Sequence, residues 1–199
     1  MSRDGHPFAS RWNHNSHYYP LIAARLPASG RVLDVGCGEG TFCRFIAAEA
    51  RTVVGVDPDA SVLPPPTGGV RYVRGSAESL PFVDAAFDAL TMTMVLHHVE
   101  PGRGLAEAAR VLAPGGRLLV LGFGRRGGRQ DLLHELRDAV THRVVSRRMQ
   151  PWDPPTVKSF TVGTWAEVRE SASRALPGCT YSRLPMWRYL VEWHKPVTP

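Results

Sequence analysis

A chain of 199 residues, 43% of them hydrophobic, has the size of one domain with one ordinary core, and leaves little room for a second. No run approaches the roughly 18 apolar residues that a membrane-spanning helix needs, and Met1 to Ser16 lacks the apolar stretch of a signal peptide, so the expected setting is the cytoplasm. The formal net charge of +6 admits nucleic acid as a partner, but the cations are arginine apart from Lys158 and Lys195, in a chain rich in alanine, glycine and proline; scattered solvated charge is the simpler account.

In chain order, the histidine- and aromatic-rich segment from Arg3 leads into an apolar helical stretch, Leu21 to Leu26, that Pro27 and Gly30 terminate. Residues 1–30 are therefore expected to form a cap on a single domain spanning 1–199. Alternation follows: a strand over Arg31 to Val35, a helix over Phe42 to Ala50 and a strand over Thr52 to Val56. Pro64, Pro65 and Pro66 forbid an ordinary helix between 58 and 69, because proline has no amide proton and clashes in a helix interior. Strands over Val70 to Arg74 and Ala89 to Met94, a helix over Gly102 to Leu112 and a strand over Arg117 to Leu121 complete a doubly wound parallel α/β sheet.

Residues 123–160 change character and read as an insertion on the substrate side. Within it, Leu132, Leu133, Leu136, Val140 and Val144 recur at helical spacing over Asp131 to Met149, which predicts an amphipathic helix with a basic outer side. Thr164 and Glu167 have the spacing of a capping box at the start of a further helix that Pro177 and Gly178 end. Cys179 to Leu184 and Arg188 to Trp193 read as two antiparallel strands turning at Pro185. Cys37, Cys43 and Cys179 lack the paired spacing of a zinc site, and no metal is expected.

The most informative segment is Val32 to Gly40, an apolar strand running into Gly36, Gly38 and Gly40. Alternating glycines at a strand end let a nucleotide-like ligand lie against the backbone. The dinucleotide fingerprint would place its third glycine at position 41, where this chain has Thr41, so this is a different loop. An acid two residues before the first glycine, Asp34, resembles motif I of the class I S-adenosylmethionine-dependent methyltransferases, and Val56-Asp57 resembles the strand whose terminal acid receives the ribose hydroxyls there. Gly75 to Phe82, Phe87-Asp88-Ala89, Leu96-His97-His98-Val99 and Arg110 to Gly116 are similar to further ordered pieces of that family, and the small-molecule enzymes related to quinone biosynthesis are the nearest subgroup.

The resemblance implies a Rossmann-like seven-stranded, mostly parallel sheet closed by an antiparallel hairpin, with S-adenosyl-L-methionine as methyl donor and S-adenosyl-L-homocysteine as product. It implies cofactor contacts from Gly36, Cys37, Gly38 and Gly40, from Asp34 at the ammonium end, and from Asp57 and Pro58 at the ribose. Asp34 otherwise reads as a strand-end acid capping the next helix. The adenine end falls to Ser76 or the Ala77 amide, with Glu78 beside them; the subgroup usually has an acid where this chain has Ser76, and a neutral hydroxyl accepts a weaker hydrogen bond. Asn15, His17 and Tyr18 resemble an element that folds over the cofactor. Thr93 and Met94 end the fourth strand and face either the sulfonium or the core.

His98 is the candidate general base, because imidazole titrates near neutrality, with packing or helix capping as its other reading. The acceptor is expected to be a small molecule against an apolar wall of Met149, Trp152 and Phe160. The alternatives are tRNA or rRNA bound through Arg125, Arg126, Arg129, Arg143, Arg147 and Arg148, and a binding protein that keeps the cofactor pocket without turnover.

Overall fold

Val32, Leu33 and Val35 carry no polar group that must reach water, and they form the centre of a sheet covered on both faces. The computed structural model of the chain describes residues 6–48, 51–154 and 163–197. Among these, seven strands form one sheet: β1 (Gly30–Val35), β2 (Arg51–Asp57), β3 (Val70–Arg74), β4 (Phe87–Thr93), β5 (Leu112–Gly122), β6 (Thr180–Leu184) and β7 (Arg188–His194), in the order β3-β2-β1-β4-β5-β7-β6. β1 to β5 pair in parallel, and β7 runs antiparallel to both β5 and β6. The helices are α1 (Tyr19–Ala23), α2 (Thr41–Ile46), α3 (Pro101–Val111), α4 (Leu132–Ser146) and α5 (Trp165–Ala175). The expected mostly parallel sheet with its closing hairpin is what the chain forms.

Burial follows the pleat. Leu33, Val35, Leu118 and Val120 enter one core with Leu105 of α3 and Trp165 of α5, while Val32, Leu119 and Leu121 enter the other with Trp12, Ile22 and Phe42. The carboxylate of Glu100 caps α3 by accepting the amides of Gly102 and Arg103 at 2.8 and 2.7 Å, and the capping box of Thr164 and Glu167 starts α5 as its spacing predicts. No helix spans residues 58–69, so the crossover from β2 to β3 is a loop.

The boundaries differ in instructive places. α2 stops at Ile46, because Ala47 is already extended at φ −61°, ψ 133°; Ala50 lies outside the described residues. β5 begins at Leu112 and passes through Pro114, Gly115 and Gly116, with a shift of register against β4 between Phe87 and Ala89 and with Gly115 donating to the Lys195 carbonyl at 2.8 Å.

The larger correction is α4. The apolar residues of the expected stripe face solvent, Leu133 at 81% and Leu136 at 64% exposed, with Leu132, Val140 and Val144 also exposed, while Val145 alone of the helix's large apolar residues packs on the core. The buried face is acidic. Asp138 is fully buried, receives Arg137 Nε and Nη2 at 3.1 and 2.9 Å, and lies 3.8 Å from Arg183 of β6. Arg183 donates to Asp131 at 2.7 Å and to Glu135 at 3.5 Å and lies over the Trp165 ring, and the Trp187 indole donates to Glu135 at 2.8 Å. A buried carboxylate without a cation is costlier than an exposed leucine, so these pairs orient the helix against its own hydrophobic pattern.

Candidate active site

Open α/β sheets bind ligands beyond the carboxyl ends of their strands, and here β1, β2 and β4 end around one cavity of about 760 Å³. On one side it is lined by Gly36, Cys37 and Gly38 after β1, Asp57 and Pro58 after β2, Ser76, Ala77 and Glu78 after β3, and Thr93 and His98 around the end of β4. A recess of similar size at the opposite, N-terminal ends of β2 and β3, bounded by Arg51, Thr52 and Val70, brings together no comparable set of groups.

The glycine loop is held from β2. The Val56 carbonyl accepts the amides of Gly36 and Cys37 at 2.7 and 3.1 Å. Asp57 accepts the Gly38 amide on Oδ2 at 2.9 Å and the Asp59 amide on Oδ1 at 3.0 Å, so its carboxylate is fixed at the cavity wall with lone pairs to spare. Gly36 has φ +69° and a Cβ there would strike the Val95 side chain, which leaves the loop no other residue at this position.

Three expected contacts lie outside the wall. Asp34 is 2% exposed and spans elements instead: Thr91 of β4 donates to its Oδ1 at 2.8 Å and the Cys43 thiol of α2 to its Oδ2 at 3.3 Å. Burial raises its carboxyl to about 6. Its side chain bonds within the fold and does not cap α2. Gly40, at φ +76°, precedes α2 against the Tyr72 ring; packing rather than a ligand demands glycine there. Tyr18 turns away and donates to the Pro185 carbonyl at 2.7 Å, and the next residue, Tyr19, lines the cavity in its place. A one-residue difference suffices because neighbouring side chains on a helical turn point in different directions.

Ser76 lies on the wall with its hydroxyl accepting the Glu78 amide at 3.2 Å, and Glu78 accepts the Glu100 amide at 2.8 Å. The Thr93 hydroxyl is buried at the cavity with no hydrogen-bond partner. Met94, next to it, has φ +63°, a left-handed conformation held by its amide on the Leu121 carbonyl at 2.8 Å. The His97 and His98 rings lie with their centres 3.9 Å apart, tilted by 42°. Desolvation, then the neighbouring His98 and Arg188, lowers His97 to about 4; desolvation also lowers His98, so both rings are neutral at pH 7.

The opposite wall was mostly illegible in the sequence. Asn13, His14 and Asn15 come from the N-terminal cap, Phe123 from the end of β5, Trp152 and Asp153 from the segment after α4, and Arg188 from the start of β7. Arg188 donates to Asn15 Oδ1 from Nε and Nη2 at 3.1 and 2.8 Å, and burial lowers its guanidinium to about 10. The turn that delivers it holds Met186 and Trp187 both at φ +56°, a costly pair for non-glycine residues, over-determined by the complete burial of Met186 and the Trp187 bond to Glu135. Of this wall the sequence points to Asn15 and Trp152; Met149 packs in the core beside the cap, and Phe160 lies outside the described residues. No sequence pattern announced Arg188, whose place depends on the hairpin returning beside β5.

The sequence matches the methyltransferase domain family over residues 33–120, the stretch from β1 to β5 that carries the glycine loop. An uncharacterized methyltransferase of Mycobacterium tuberculosis, Rv0089, is 32% identical over 194 residues, covering 94% of this chain and 98% of that protein. The ubiquinone/menaquinone biosynthesis C-methyltransferase UbiE of Francisella philomiragia is 36% identical over 109 residues, 48% of this chain and 43% of that one. Among solved structures, a SAM-dependent methyltransferase of Methanosarcina mazei superposes with a TM-score of 0.63 at 23% identity, covering 90% of this chain and 99% of that one. With the Mycobacterium tuberculosis relative matched over nearly its whole length and the family's strand order and glycine loop in place, the chain belongs to the class I S-adenosylmethionine-dependent methyltransferases.

Proposed function

We propose that the protein transfers the methyl group of S-adenosylmethionine to a small-molecule acceptor with an aromatic or otherwise flat apolar body. The observation that carries this reading is the single cavity of about 760 Å³ that joins the Gly36–Asp57–Ser76 wall to a second wall of Phe123, Trp152, His97 and Arg188.

The donor set fits the cofactor. Asp57 offers a fixed carboxylate to a ribose diol, the loop from Gly36 to Gly38 offers close backbone approach, Ser76 or the Ala77 amide meets the adenine edge, and the unpartnered Thr93 hydroxyl awaits a polar atom of ligand. The bound sulfonium supplies an activated methyl group, and displacement by the acceptor needs no metal. The chain's part is alignment and exclusion of water. Phe123 and Trp152 hold the flat body, and Arg188, bonded only to neutral oxygens among the described residues, complements an anionic oxygen on the ligand. His98, neutral and at the wall, takes the proton when the acceptor must lose one.

Titration calorimetry with S-adenosylhomocysteine tests the cofactor half. Asp57→Ala is expected to weaken binding by about 10- to 100-fold, the loss of a hydrogen bond to a charged group worth roughly 1.5–3 kcal/mol. Turnover on a panel of phenols, quinols and basic amines tests the other half. Absence of cofactor binding by the native protein overturns the reading, and methylation of tRNA or rRNA with none of the panel moves it to nucleic acid.

A further inference from the structure

α4 is inverted relative to its hydrophobic pattern, and the composition of the face it presents is informative. Leu132, Leu136 and Val140 lie four residues apart along one exposed line, with Leu133 and Val144 beside it. Ala139, Arg143, Arg147 and Arg148, in and just beyond the helix, are exposed with them. Arg143 is seven residues after Leu136 and falls within the stripe itself. The helix's two acids are turned inward, Glu135 to Arg183 and Trp187 and Asp138 to Arg137 and Arg183. Asp131, just before the helix, is held inward by Arg183 as well.

The outward face thus combines leucine and valine with arginine and carries no carboxylate. A second protein surface would have to meet arginines that have no carboxylate partner among the described residues and lie amid leucines, whereas an anionic lipid surface satisfies both: acyl chains receive the apolar stripe and headgroups the guanidinium ends of snorkelling side chains. We infer that the outer face of α4 docks on an anionic membrane surface, with the helix lying in the interface. The fold positions this face near the cavity, because His142 on the flank of α4 bonds His14 of the cap at 2.9 Å and His14 lines the cavity wall. The docking itself does not depend on the identity of the methyl acceptor.

Co-sedimentation of the full chain with vesicles tests this, using phosphatidylglycerol mixed into phosphatidylcholine against pure phosphatidylcholine, at low and high salt. Binding is expected to the anionic vesicles, to weaken with salt, and to fall at least about tenfold in the triple variant L133E/L136E/V140E and in R143E/R147E. Because these side chains are exposed, the variants are expected to keep the native melting temperature and cofactor affinity, which separates loss of docking from loss of fold. No binding to anionic vesicles overturns the inference, as does equal binding by the triple variant. A dimer seen by sedimentation equilibrium, dissociated by the same variant in a protein that ignores vesicles, overturns it in favour of a second copy of the chain.

Discussion

α3 and α4 are built from similar materials and used in opposite ways. α3 buries Leu105, Ala108 and Val111 against the sheet and α5, and leaves Arg103 to solvent. α4 has five large apolar residues at helical spacing and buries only Asp138 completely. What separates them is the partner across the interface. α3 meets an apolar sheet face and α5, whereas α4 meets Arg183 and Trp187, against which carboxylates are the complementary side chains. Hydrophobic periodicity therefore specifies that a helix forms, and the neighbour specifies which face turns in.

The sharpest way to break this contrast is to remove the cation under α4. Arg183→Ala leaves Asp131, Glu135 and Asp138 without it, and breaking such a buried network is expected to cost about 3–5 kcal/mol in chemical denaturation. A loss below 1 kcal/mol would mean that the network does not orient the helix. Leu105→Ala in α3, at a fully buried position, is expected to cost about 2–5 kcal/mol by cavity formation.

An intermediate effect comes from pH. Burial lowers His14 and His17 in the cap to about 4, so their neutral forms belong to the folded state. Their contribution is complete above the unfolded value near 6.5 and is lost as pH falls through about 4, on the order of 1 kcal/mol each after allowance for partial exposure. Asp34, raised from 3.8 to about 6 by burial, acts with the opposite sign, its contribution fading as pH rises across that interval. Melting curves from pH 7 to 4 are expected to flatten in His14→Gln, and an unchanged slope would remove the cap from the acid response. The smallest effect belongs to the inverted face: Leu133→Ala is expected to change stability by less than about 0.5 kcal/mol, and a cost like that of Leu105→Ala would show the stripe to be covered in solution.

Local chemistry carried much of the design. Strand and helix periods, the proline triplet, the Thr164–Glu167 cap and the glycine spacing are decided within a few residues, so the parallel sheet and the cavity wall of Gly36, Gly38, Asp57 and Ser76 were legible in the chain. Asp34, Gly40 and Tyr18 were not, because the Asp34 and Tyr18 side chains are drawn to Thr91 and Pro185 and the Gly40 backbone is packed against Tyr72, all distant along the chain. The second wall is more distant still: Asn15 and Arg188 are separated by 173 residues and meet only when the hairpin folds back beside β5. The sequence by itself determined the fold class, the family and the Gly36–Asp57–Ser76 wall of the cavity, since these rest on patterns with short range. Tertiary structure decided the opposite wall with Arg188 and the outward turn of α4, because both depend on which long-range neighbour meets a buried polar group.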